Sequence, residues 1–216
     1  MMRKTLGLGI ALTLLALPAA AAAQDDHSQH TMPAVESSTD GAAARAYMDG
    51  MAKMSRDMNA AMTGDADVDF ATMMIPHHQG AIDMAKVQLE FGKDPQLRTL
   101  SEAIIKAQES EIAFMKAWLG KNAKPAGDNA HAHHTPAAIA YMAGMETMNK
   151  DMNAAMTGDA DRDFVVMMIP HHQGAIDMAK VQLEHGKDPE LHRLSKEIVA
   201  AQESEIALMK TWLAGN

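Results

Sequence analysis

The sequence predicts an all-α fold: two tandem, antiparallel three-helix repeats packed together. Three observations carry that expectation. Arg45–Leu119 aligns without a gap on Ile139–Leu213, with 56 of 75 positions identical. Eighteen residues, Met73–Glu90, recur letter for letter at Met167–Glu184. Within each copy the apolar residues keep helical spacing between cap and stop signals, and nothing reads as a strand.

The first helix of a repeat is expected over about residues 43–62, ending at Gly64; its second copy opens on Thr135-Pro136, an N-cap followed by proline at the first helical position. The second helix starts in the acidic Asp65-Ala66-Asp67 cluster, where carboxylates suit a helix N-terminus, and runs to Glu90 before Gly92. The third begins at Asp94-Pro95 and runs to Leu119 before Gly120. Connections this short make consecutive helices antiparallel neighbours. Pro76 falls inside the second helix and is expected to kink it without ending it, because the apolar face continues beyond.

Around the repeats the chain has three further stretches. Residues 1–23 read as a secretory signal peptide, with Arg3 and Lys4 ahead of an apolar run, Leu6–Leu17, and small residues at Ala21–Ala23. Residues 24–42 read as a disordered arm bearing His27, His30 and Met32. Cleavage after Gln24 would put His27 third from a free amino terminus, a square-planar Cu(II) arrangement; cleavage after Ala23 would spoil it. The helical repeats then occupy 43–120 and 135–216. The linker between them, 121–134, carries His131, His133 and His134. No other run is long and apolar enough to insert in a membrane, so the mature protein is expected in a periplasm.

Composition narrows the chemistry. A net charge of −9 and 4% aromatic residues supply neither a basic footprint nor stacking groups for nucleic acid. There is no cysteine, so a soft metal must be held without thiolate. There are 21 methionines against 4 Phe, 2 Tyr and 2 Trp. The repeats hold 18 methionines and half as many leucines, whereas a core chosen for packing alone would lean on leucine.

Helical projection places Tyr47, Met48, Met51, Met54, Met58 and Met62 in one stripe, and Tyr141, Met142, Met145, Met148, Met152 and Met156 in its copy. On the second helix Met73, Met74, His77, Ala81 and Met84 share a face with His78 at its edge. Met73–His77 and Met74–His78 are i,i+4 pairs, close enough to chelate. The third helix brings Met115, and Gln108 stands in its apolar stripe as a hydrogen-bond partner for a ligating imidazole. Several thioethers with imidazoles point to copper, Cu(I) by preference and Cu(II) through histidine; zinc seldom uses thioethers.

The competing expectation is a metal-free structural or interaction bundle in which methionine fills the core. Enzyme chemistry finds little footing. No histidine has a glutamate three residues before it, as a di-iron bundle needs, and there is no HExxH, cysteine nucleophile or glycine-rich phosphate loop. A copper-dependent redox enzyme is the third and weakest reading.

The run MMIPHHQGAIDMAK, with DPQLRTLSEAIIKAQESEIAFMKAWL after it, resembles the family called domain of unknown function 305, whose better understood members are CopM-like periplasmic copper-binding proteins. The resemblance spans residues 45–119 and 139–213. It implies a ferritin-like helical bundle and copper binding by Met74, His77, His78, Met84 and Met115 with methionines of the first helix. The full candidate ligand set is therefore Met51, Met58, Met73, Met74, His77, His78, Met84 and Met115, and in the second copy Met145, Met152, Met167, Met168, His171, His172, Met178 and Met209. Sequestration, delivery or copper resistance would follow, with a periplasmic donor or acceptor protein as partner.

Overall fold

The computed structural model describes residues 39–59, 62–122, 132–153 and 156–216. They form six helices: α1 (Thr39–Asp57), α2 (Ala66–Phe91), α3 (Pro95–Asn122), α4 (Pro136–Asp151), α5 (Ala160–His185) and α6 (Pro189–Gly215). A single 3-10 turn, Ala132–His134, precedes α4. Among the described residues there is no strand. The expected signal peptide, most of the arm and linker residues 123–131 lie outside them.

The caps fall where the sequence put them. Asp65 accepts hydrogen bonds from the Asp67 and Val68 amides at the start of α2, and Asp94 does the same for Gln96 and Leu97 at the start of α3. Thr135 caps α4 through the Ala138 amide, with Pro136 in the first turn. α2 and α5 run unbroken through Pro76 and Pro170.

Three boundaries differ from expectation. α1 opens at Thr39, inside the stretch assigned to the arm, and α3 continues past Gly120 to Asn122. α1 also ends at Asp57, well short of residue 62. The reason is Asp69, a carboxylate one turn inside α2 and only 2% exposed. It accepts from the Thr63 amide and hydroxyl, both at 2.7 Å, and from the Gly64 amide at 3.0 Å. Those bonds hold the preceding loop, and Gly64 adopts the positive φ of 82° that the reversal needs. Asp163, Thr157 and Gly158 repeat the device.

α2 packs between α1 and α3, α5 packs between α4 and α6, and α2 and α5 pack on each other at the centre. α1 also reaches α5, and α4 reaches α2. The two copies are locked by reciprocal contacts. Asp161, in the first turn of α5, accepts from the Gln88 side chain and from the Lys93 and Asp94 amides just past the end of α2. Asp67, in the first turn of α2, accepts from Gln182, Lys187 and Asp188 just past the end of α5. Each clamp needs a glycine, because a Cβ on Gly92 would meet the Asp161 carboxylate and one on Gly186 that of Asp67. The buried Tyr47 donates its hydroxyl to the Ala160 carbonyl at 3.0 Å, and Tyr141 donates to Ala66 at 3.1 Å. Start-to-end clamps in both directions make α2 and α5 antiparallel. The middle of α2 therefore faces the same residues in the middle of α5, and the middle of each helix is the histidine pair.

Candidate metal centre

His77, His78, His171 and His172 are all fully buried. The antiparallel crossing brings the two pairs into one cluster. The His77 and His171 rings lie 3.8 Å apart between centroids, tilted by 41°. His78 stands 6.3 Å from His77, and His172 stands 6.2 Å from His171. One centre shared by two repeats thus replaces the two separate histidine sites that reading each repeat by itself suggests.

Hydrogen bonds set the ring nitrogens. In its neutral form His78 donates Nε2–H to Glu111 at 2.7 Å, since a carboxylate can only accept, which leaves the Nδ1 lone pair free. His172 does the same with Glu205, also at 2.7 Å. His171 donates Nε2–H to the His77 carbonyl at 3.0 Å. Nδ1 of each of these three rings is buried without a hydrogen-bond partner, and His77 lacks one at both nitrogens. A carboxylate behind an imidazole fixes ring and tautomer and raises donor strength, as carboxylates behind metal-bound histidines do. The expected partner was Gln108. The structure gives that place to Glu111, one turn further along α3, and the Gln108 carbonyl oxygen has no partner.

Burial, followed by the neighbouring imidazoles His171, His78 and His172, holds His77 well below the usual imidazole range; a backbone contact with His171 opposes this in part. Burial, then His172 and His78, does the same to His171. Both rings are neutral near pH 7, and neutral imidazole is the form that binds metal.

Met73, Met74 and Met84 of α2 and Met167, Met168 and Met178 of α5 are buried in the same core as the histidines, along with Met115 of α3 and Met209 of α6. Met58 and Met152 are buried at the ends of α1 and α4, while Met51 and Met145 are half-buried. Two methionines outside the expected ligand set, Met54 and Met148, reach the middle of the crossing. The Met54 side chain lies against the Gly80 backbone, where a Cβ would collide with its sulfur. In the second copy a Cβ on Gly174 would lie 2.7 Å from Met148 Sδ and 3.3 Å from His77 Nε2. A thioether from α4 and an unpartnered imidazole nitrogen from α2 thus flank one point on α5. The signal for this was a glycine in mid-helix, which makes room for a close approach.

The extra histidines of the second repeat are placed structurally. His192 contacts the Gly186 carbonyl at 3.1 Å, as Arg98 donates to Gly92 in the first copy. His185 is part-exposed at the end of α5, and His133 and His134 are exposed. Among the described residues no three His, Cys, Asp or Glu side chains form a group able to hold a metal, and no helix is long and apolar enough to cross a membrane.

Fold and centre together define an all-α bundle with a buried, carboxylate-backed imidazole cluster set among thioethers. The chain belongs to the family described as Domain of unknown function (DUF305), which residues 18–119 and 67–213 match in two overlapping stretches. It is similar to the solved structure of CopM in the Cu(I)-bound form, at 34% identity over 69% of this chain and 96% of that one, with a TM-score of 0.52. It is also similar to a DUF305 fragment from Deinococcus radiodurans, at 31% identity over 70% of this chain and 97% of that one, with a TM-score of 0.52. A DUF305 protein from Streptomyces coelicolor is 28% identical over 70% of this chain and 92% of that one, with a TM-score of 0.54. No curated protein matches the chain.

Proposed function

We propose that this is an exported, periplasmic copper-binding protein that holds Cu(I) in the histidine–methionine centre, and that it sequesters or delivers copper rather than catalysing a reaction. The observation that carries the reading is the set of Nδ1 atoms of His77, His78, His171 and His172, all in fully buried rings and none with a hydrogen-bond partner. Leaving such an atom unpaired costs about 1–3 kcal/mol, a cost that a bound ion would remove. The donor set suits a soft ion: neutral imidazole nitrogens with their tautomers set by Glu111 and Glu205, and thioethers at Met54 and Met148. Thioethers carry no proton and stay available as the pH falls. CopM structures in Cu(I)-, Cu(II)- and Ag-bound forms support the same ligand chemistry in a relative. Cu(II) would be taken up by the histidines of the arm and linker, and a copper donor or acceptor protein is the natural partner. The N-terminal residues read as a signal peptide, which fits export.

Anaerobic Cu(I) loading followed by competition with a weak Cu(I) chelator tests this. The protein is expected to retain Cu(I). Replacing His77, His78, His171 and His172 with Ala should lower the stoichiometry while circular dichroism shows the helices intact. Complete loss of Cu(I) from the native protein to the weak chelator overturns the reading and leaves a metal-free bundle.

A further inference from the structure

The centre is closed, yet the methionines of α1 and α4 are not confined to the core. In α1, Met48 is 47% exposed, Met51 is half-buried and Met54 is 4% exposed. In α4 the gradient repeats: Met142 is 39% exposed, Met145 half-buried and Met148 4% exposed. The spacing is i,i+3 in both copies, so successive side chains climb one helix face in steps of about 4.5 Å. Packing accounts for Met54 and Met148. It does not account for a large thioether at the exposed end of each series.

Met48, Met51 and Met54 also line one side of an open groove of about 470 Å³, with Asn149, Met152 and Asn153 on the other side. No charged residue is among those lining it. The inner end of the series is Met54, whose sulfur rests on Gly80, two residues beyond the His77–His78 pair.

Resting on the copper reading above, we infer that the Met48–Met51–Met54 and Met142–Met145–Met148 series are loading paths along which a soft monovalent cation, Cu(I) or Ag(I), passes from solvent to the buried imidazoles. A bare cation cannot enter an apolar core, because losing its solvation is far too costly. Neutral thioethers one helical turn apart replace that solvation stepwise, and each binds weakly enough alone to hand the ion on. The endpoint is in place at Met148, whose sulfur flanks the same point beside Gly174 as the free Nε2 of His77.

The test measures rate against capacity. Met48 and Met142, the exposed members that lie outside the candidate ligand set, are replaced by Leu, a change that conserves volume, removes only sulfur and does not unfold the helix. Cu(I) is then supplied anaerobically from a weak chromophoric chelator, and transfer is followed by absorbance in a stopped-flow instrument. Transfer to the variant should be at least threefold slower, with final stoichiometry and retention against the chelator unchanged. An unchanged rate at full stoichiometry overturns the path. A fall in stoichiometry also overturns it, because these thioethers would then hold the ion instead of passing it. Failure of the native protein to take up Cu(I) is a different result and defeats the copper reading itself.

Discussion

Gly174→Ala separates a packing account of the central methionines from a ligand account. The new Cβ would stand 2.7 Å from Met148 Sδ, 3.1 Å from its Cγ and 3.3 Å from His77 Nε2. Carbon contacts settle near 3.5–4.0 Å, so the thioether must retreat by about 1 Å and the imidazole by somewhat less. Alanine in a helix interior is better than glycine by about 1 kcal/mol. Overpacking works against that gain, at about 1–3 kcal/mol. Because the obstructing atoms are the end of a flexible side chain, the net loss in urea-induced unfolding should be small, about 0–2 kcal/mol. Binding should respond more: prising Met148 away from His77 should weaken Cu(I) retention at least tenfold in chelator competition. Gly80→Ala should cost more stability, because Met54 Cβ is itself 3.2 Å from the new atom and cannot swing aside as a terminal sulfur can. The reasoning is refuted if Gly174→Ala gains about 1 kcal/mol, as propensity alone would give, with Cu(I) affinity unchanged.

Glu111→Gln and Glu205→Gln keep shape but remove the carboxylates behind His78 and His172, and each should weaken copper binding about 10–100-fold in the same competition. The metal-free protein should be acid-sensitive. His77 and His171 are held neutral when folded but titrate near pH 6.5 when unfolded, so the unfolded state binds more protons below that pH. Their contribution is complete above about pH 6.5 and is lost as the pH falls, at about 1.4 kcal/mol per pH unit for each histidine, measurable by urea titration between pH 7 and 5. Asp161→Ala leaves Gln88 and the Lys93 and Asp94 amides without their acceptor, and should destabilise the bundle by about 2–3 kcal/mol in thermal or chemical unfolding.

Helices and most of their caps were legible because their signals are local. Asp65, Asp94 and Thr135-Pro136 act within one turn of where they stand, and the methionine stripes give the buried faces in part: Tyr47, Met54 and Met58 and their copies are buried, whereas Met48 and Met142 stand exposed. The early end of α1 was not legible, because Asp69 reaches back across a loop. Nor were the clamps: Asp67 and Asp161 read as first-turn acids suited to a helix dipole, yet they bond the other repeat at more than sixty residues' remove. The same limit hid the shape of the centre. Sequence pairs each histidine with the methionine one turn before it, but it is silent on whether α2 and α5 cross parallel or antiparallel. That choice puts His77 against His171. Choosing Met51 and Met58 over Met54 followed from stripe membership alone, which ranks all three equally; the bare backbone of Gly80 singles out Met54.

X-ray absorption at the copper edge of the anaerobically loaded protein tests the central claim most directly. The account predicts Cu(I) with both imidazole nitrogen and thioether sulfur in its first coordination shell, and loss of the nitrogen scattering when His77, His78, His171 and His172 are replaced. A shell without sulfur, or one that those replacements leave unchanged, would contradict it.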